Sequence, residues 1–287
     1  MPVPGFVLLG FMDEAYALLY LRENTVQGND SDAALSASWR AAVARRGNPL
    51  ANAGVPEIRD LASKHKPYLN KIPNNPRFTE TIAGMSAWKF ADVEIDPLLA
   101  FQVDVWTERV DHLCHGLSTP PTVGEMLRVC LPTTVEIPPR PIITPGANAF
   151  LLETENLNYR FLEGKYIEKA TVPGKGPVDI AGLFAGIGSP LLQVVRYQNR
   201  CYLKNGYHRV RGLRRAGATH VPCLLLDADD PSLIGMDKPG FFAMPILQSA
   251  DPPTCAHFAP DRAESVMFRR KKRLIHVSWS EFVLNID

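Results

Sequence analysis

Long hydrophobic runs are missing from this chain. No apolar stretch approaches the roughly 18 residues that a membrane-crossing helix needs, so no membrane span is expected. Pro4 to Leu21 is apolar, but Asp13 and Glu14 interrupt it and no basic segment precedes it, which argues against a secretory leader. Cysteine is scarce as well. Cys114, Cys130, Cys201, Cys223 and Cys255 are scattered, odd in number and contain no CxxC pair. That pattern excludes a disulfide framework and predicts reduced thiols in a cytoplasmic protein. Charge of one sign is lacking too: 31 Lys and Arg face 30 Asp and Glu, so net charge gives no argument for a nucleic-acid partner. No internal repeat is visible. Proline, by contrast, is abundant at 25 residues and predicts many ordered turns, while the 46% hydrophobic fraction excludes wholesale disorder.

At 287 residues the chain can form one large or two modest domains. The first half reads as mainly helical. Met12 to Arg22 places Met12, Ala15, Tyr16 and Leu19 on one helical face. Asn29, Asp30 and Ser31 supply N-cap residues for a second helix to about Arg46, with Leu35, Trp39, Ala42 and Val43 as its apolar face and Gly47 at its end. A third short helix is expected near Pro56 to Lys64. Ile95 to Leu117 carries the strongest helical pattern, through Leu98, Phe101 and Val105, and is expected to be the spine of this part. His112, Cys114 and His115 close that segment. Their spacing lacks a second ligand pair, so they read as residues interacting with a helix C-terminus and no metal site is assigned. Residues 118–148 are rich in proline, with a PPRP run of polyproline type, and suit a connector.

The most legible chemistry lies in Asn205 to Leu226, NGYHRVRGLRRAGATHVPCLLL. Two extended runs precede it and meet at Gln198-Asn199, a hairpin signal. Asn205-Gly206 breaks the extended pattern. From Tyr207 the period changes, with Tyr207, Val210 and Leu213 three apart on one helical stripe, and Gly217 suits a C-terminal cap. Val221 to Leu226 reads as a short buried strand. A glycine turn feeding a helix N-terminus is a natural anion site, because the first-turn N–H groups are free and the macrodipole is positive there. His208 and Arg209 stand in that first turn, and Arg can grip phosphate with two parallel bonds. Between Ala181 and Leu226 there are seven Lys or Arg and no Asp or Glu, which favours an anionic ligand over a cationic one.

The same residues resemble the ParB/sulfiredoxin superfamily. Gly206, Arg209, Arg211, Ala216, Gly217, Val221 and Pro222 fall on the ParB pattern of glycine turn, arginine-rich helix, Ala-Gly cap and Val-Pro strand, and Gly206, His208 and Arg209 fit the G-x-H-R variant of sulfiredoxin-like members. The resemblance spans roughly residues 178–227. It implies a small α/β domain of bacterial type that binds nucleotide phosphates at this turn. Tyr207 stands where sulfiredoxins carry a catalytic Cys and ParB a Glu, so neither sulfiredoxin activity nor CTP hydrolysis is carried over. No helix-turn-helix segment follows Asp227, so ParB-type centromere binding has no support.

These readings combine into an α+β chain: a mainly helical region at 1–135, a proline-rich connector at 136–150, and a ParB/sulfiredoxin-like α/β domain with a C-terminal extension at 151–287. The expected function is nucleotide or phosphate binding, with a nucleotide-dependent nuclease or phosphotransfer enzyme as the catalytic form; the cofactor is left open, nucleotide with Mg²⁺ being the candidate. Asn205, Gly206, Tyr207, His208, Arg209 and Arg211 are the expected ligand-binding residues, and His208 the catalytic one. Gly186, Gly188 and Ser189 are weaker pocket candidates. Asp227, Asp229 and Asp230 could ligate Mg²⁺ but read better as a solvated turn. The alternative is a non-catalytic protein that binds nucleic acid or another protein. For nucleic acid the candidates are Arg269, Arg270, Lys271, Lys272 and Arg273, the one dense basic run.

Overall fold

A computed structural model describes residues 1–73, 88–134, 141–146, 148–156, 159–171, 174, 176–187, 190–235 and 240–284. The chain is of mixed α+β class. It divides into two compact units: Met1–Val135 with Pro190–Arg270, and Glu136–Ser189 with Lys271–Asp287. Among the described residues no helix is long and apolar enough to cross a membrane.

The first unit holds two sheets. In the smaller, β1 (Val3–Val7) lies between β4 (Asp104–Trp106) and β12 (Glu264–Phe268), antiparallel to both. The larger has the order β10-β9-β11-β3-β2, with β2 at Ile58–Asp60, β3 at Trp88–Glu94, β9 at Gln193–Tyr197, β10 at Arg200–Asn205 and β11 at His220–Asp227. Strands β9 and β10 form the expected hairpin. Gln198 and Asn199 both adopt positive φ, 48° and 61°, the geometry of a two-residue turn that follows strand twist. The chain then crosses through the Tyr207–Arg215 helix into β11, which runs parallel to β9 and antiparallel to β3. Val221 and Cys223 to Leu225 are fully buried in β11, as are Val194 and Val195 in β9. At roughly 1.5–3 kcal/mol for each large apolar side chain, this layer is a principal source of stability. Pro222 is tolerated in this central strand because β9 begins pairing only at Leu224, so the missing N–H falls where no neighbour waits.

Pairing of β11 with β3 overturns a boundary near 135–150 that would set residues 151–287 apart as one domain. The sheet needs strands from both sides of that boundary, so 190–270 packs with 1–135. Among the described residues of 1–135 helix exceeds strand, but this region also supplies β1 to β4. The long helix expected over Ile95 to Leu117 is short, Thr107–Leu113. Ile95, Leu98, Leu99, Phe101, Val103 and Val105 are all at most 1% exposed. Pro97 to Phe101 is buried throughout, and such a run carries apolar residues without regard to period, so the pattern mimics a helix. Pro56 to Lys64 forms β2 and a 3₁₀ turn at Ser63–His65 in place of a helix.

The first two helices do form, at Glu14–Asn24 and Asp32–Arg45, capped by the Asp13 and Ser31 side chains. Their buried faces differ from expectation. Ala17, Tyr20 and Leu21 are buried in the first while Leu19 is half exposed; in the second, Leu35 and Ala42 are buried but Val43 is exposed. The Val123–Cys130 helix begins with a capping box between Thr122 and Glu125.

The second unit contains a sheet of order β13-β6-β5, from Ile142–Pro145 (β5), Ala149–Thr154 (β6) and Arg273–Ser278 (β13), and a long hairpin of Tyr159–Thr171 (β7) with Pro177–Ile187 (β8). The segment 158–172, readable as strand or helix, is therefore extended over its described part. Among the unit's described residues Leu152 is the one buried apolar side chain. Most of the PPRP run lies outside the described residues.

Candidate functional site

The Tyr207–Arg215 helix starts at Gly206, whose φ of 115° only glycine adopts readily. A Cβ there would come within 2.9 Å of Leu192 Cγ. The helix ends on Gly217 in a Schellman motif: Ala218 N–H donates to Leu213 O and Gly217 N–H to Arg214 O, both at 3.0 Å. No side chain caps the N-terminus and no acidic residue stands in the first turn. The N–H groups of Tyr207, His208 and Arg209 therefore have no hydrogen-bond partner among the described residues.

The expected ligand residues diverge. Asn205 turns back to the chain, its side-chain amide donating to Leu191 O at 2.9 Å. Tyr207 belongs to the core: its ring stands edge-on to Phe101 and Phe258, and its hydroxyl accepts the Phe101 N–H at 3.0 Å. Burial raises its pKa well above the usual phenol value. Arg209 is 8% exposed, and its guanidinium donates to the carbonyls of Val129 and Cys130, each at 3.3 Å, and of Pro190. It ties the end of the Val123–Cys130 helix to the segment entering β9. Arg211 lies two residues on and so points to the opposite face. Its guanidinium lies over the Phe6 ring at 5.0 Å, beside a slot bounded by Thr107, Val110 and Arg215 that has room for about one water. One phosphate therefore cannot be gripped by both arginines. Arg214 and Arg215 are paired with Asp96 and Asp111 at 2.5 and 2.6 Å.

His208 is the ionisable first-turn residue that is not fully buried. Close packing, then the charges of Arg109 and Arg209, push its pKa down to about 3, leaving a neutral imidazole at pH 7. Both charges acting on it are cationic. Arg109 comes from the Thr107–Leu113 helix, which packs on the Tyr207–Arg215 helix. No signal in the sequence marks Arg109, because its proximity to His208 is created by the fold.

The other candidates do not join this turn. Arg269 donates to Asn29 Oδ1 at 2.9 Å and Arg270 pairs with Glu108 at 2.9 Å, both in the first unit. In the second unit Lys272 pairs with Glu153 at 2.5 Å. The basic run is thus divided between the two units after Arg270. Asp227 pairs with Arg196 at 2.6 Å, and Asp230 caps the Pro231–Ile234 turn through Ser232 N–H. Gly186 lies in β8, while Gly188 and Ser189 fall outside the described residues. A separate open cleft of about 600 Å³, lined by Asp60, Lys66, Asn70 and Phe90 among others, contains none of the expected residues.

Fold and site together define a mixed α+β protein with a glycine-initiated, uncapped helix N-terminus set among cationic side chains. No family model, curated protein or solved structure matches the chain.

Proposed function

We propose that the chain binds a phosphate-bearing ligand, a nucleotide in the first instance, at the Gly206–Arg209 turn, in the manner implied by its resemblance to ParB/sulfiredoxin-like domains. The observation that carries the reading is the first turn itself. Three N–H groups have no partner among the described residues, no carboxylate stands in the turn, and the charges of Arg109 and Arg209 both act on His208. Backbone N–H groups and the helix dipole supply the anion site, and His208 supplies the titratable contact. Arg209 acts from beneath, holding the turn while its charge adds to the local potential.

A bound phosphate would replace the cationic surroundings of His208 with an anion and raise its pKa, so binding takes up a proton and tightens as pH falls below neutrality. In that state His208 can donate to a phosphate oxygen, the role a phosphotransfer or nuclease reaction would use. The test is thermal stabilisation by inorganic phosphate, ADP and ATP, with and without Mg²⁺, in wild type and His208→Asn. A ligand at a hundred times its dissociation constant adds roughly 2.7 kcal/mol to native stability. Stabilisation in wild type that is weakened in His208→Asn is expected. No stabilisation by any of these compounds would overturn the proposal.

A further inference from the structure

A second polar cluster in the first unit is built from none of the residues of the Gly206 turn. Asp251, Thr254, His257, Arg262 and Glu264 come from one stretch of chain, and Arg45 and Arg46 from the end of the Asp32–Arg45 helix. His257 is 1% exposed. The Thr254 N–H donates to His257 Nδ1 at 3.0 Å, so Nδ1 carries the lone pair and a neutral imidazole holds its proton on Nε2. That Nε2 is buried without a partner among the described residues. Burial and then the Arg262 charge hold the imidazole at a pKa of about 4, so it is neutral at pH 7.

The Phe11 ring locates the neighbours. It stands edge-on to His257 at 4.8 Å, and the Arg46 guanidinium lies over it at 4.9 Å. Arg46 Nε pairs with Asp251 Oδ2 at 2.6 Å, while Asp251 Oδ1 is buried and unpartnered. Arg45 pairs with Glu264. Among the described residues Arg262 has no carboxylate partner, and its Nη1 is buried without a hydrogen bond. The two ion pairs cancel and His257 is neutral, so Arg262 leaves the cluster with one uncompensated positive charge. The groups without a hydrogen bond among the described residues are two donors, His257 Nε2–H and Arg262 Nη1–H, and two acceptors, Asp251 Oδ1 and Glu264 Oε2; Glu264 Oε2 is the oxygen that faces Arg45 in its ion pair, which leaves Asp251 Oδ1 as the acceptor with no cation on it. Such groups are rarely left unmatched in a protein interior.

We propose that this cluster binds a phosphate monoanion, free or as a monoester, with Arg262 and His257 donating to its unprotonated oxygens and Asp251 Oδ1 accepting from its P–OH group. A phosphate monoanion supplies two unprotonated oxygens, at least one P–OH donor and the missing negative charge together; a carboxylate lacks the donor. Gly47, an exposed residue at φ 78°, covers the Arg262 guanidinium, and a Cβ there would stand 3.8 Å from Arg262 Cζ.

The experiment is ¹⁵N-histidine NMR of the full chain near neutral pH, with His257 assigned by its loss in His257→Gln. Inorganic phosphate, glycerol phosphate and acetate are titrated separately. A saturable shift of the His257 ring nitrogens with phosphate or glycerol phosphate, and none with acetate, is expected. The stronger of the two phosphates identifies free ion or ester as the source. Arg262→Met should weaken the response about tenfold or more, the loss of one charge-assisted hydrogen bond, whereas His208→Asn should leave it unchanged and so separates this site from the Gly206 turn. Absence of a saturable shift with either phosphate, equal response to acetate, or an unchanged response in Arg262→Met would overturn the proposal. Should Arg262→Met fail to fold, the wild-type comparison of phosphate with acetate still decides.

Discussion

Replacing Arg209 by methionine tests whether this arginine is a structural tie. The substitution keeps most of the buried apolar stem and removes the guanidinium. Three carbonyls then lose a donor: Val129, Cys130 and Pro190. Cys130 O keeps the Leu192 N–H at 2.7 Å, so two carbonyls are left with no partner among the described residues. Both carbonyls are half-buried, so each costs towards the low end of about 1–3 kcal/mol, and relief from burying a cation offsets part of the sum, so a net loss of about 1–3 kcal/mol is expected. Urea unfolding followed by tryptophan fluorescence and circular dichroism measures it. With an m-value of about 2–3 kcal/mol/M the midpoint should fall by roughly 1 M, with m unchanged. Arg209→Lys should fall between the two, since a single ammonium cannot span carbonyls from two segments. A stability within about 0.5 kcal/mol of wild type for Arg209→Met would refute the reasoning, because surface substitutions behave that way.

Two further predictions concern the same structure. The folded-state pKa values of His208 and His257 lie at about 3 and about 4, both depressed first by burial from an unperturbed 6.5, so between those values the unfolded chain binds more protons. The stability from these neutral imidazoles is therefore complete above pH 6.5 and lost as pH falls towards 4 and then 3; urea midpoints across that range should decline, and His208→Gln should flatten the decline, an unchanged slope counting against it. Gly206→Ala forces a side chain into φ 115° and against Leu192, which should cost about 1–3 kcal/mol in the same urea assay, and a neutral outcome would show that the turn relaxes.

Local signals in the sequence carried as far as local structure reaches. Gln198-Asn199 marked a tight hairpin because few other pairs accept two positive φ values, and Gly206 and Gly217 marked both ends of the helix for the same steric reason. Val221 to Leu226 announced a buried strand because a run with no polar face can only be interior. The same logic failed over Ile95 to Val105, where continuous burial of Pro97 to Phe101 erased the period that distinguishes strand, turn and helix. It failed again for the domain boundary, since proline density reports chain stiffness and not which strands pair across a sheet.

Side-chain roles divide along the same line. The sequence by itself determined that a glycine turn opens a basic helix with no acidic residue in its first turn, because those properties are set by neighbours in the chain. Only the tertiary structure decided which basic residues face a ligand. Helical rotation sends Arg209 and Arg211 to opposite sides, and packing buries Arg209 against carbonyls of two distant segments. Tyr207 is drawn into the core by Phe101 and Phe258, and Arg109 is brought beside His208. The His257 cluster is legible only in three dimensions, because an unpaired charge is defined by what surrounds it.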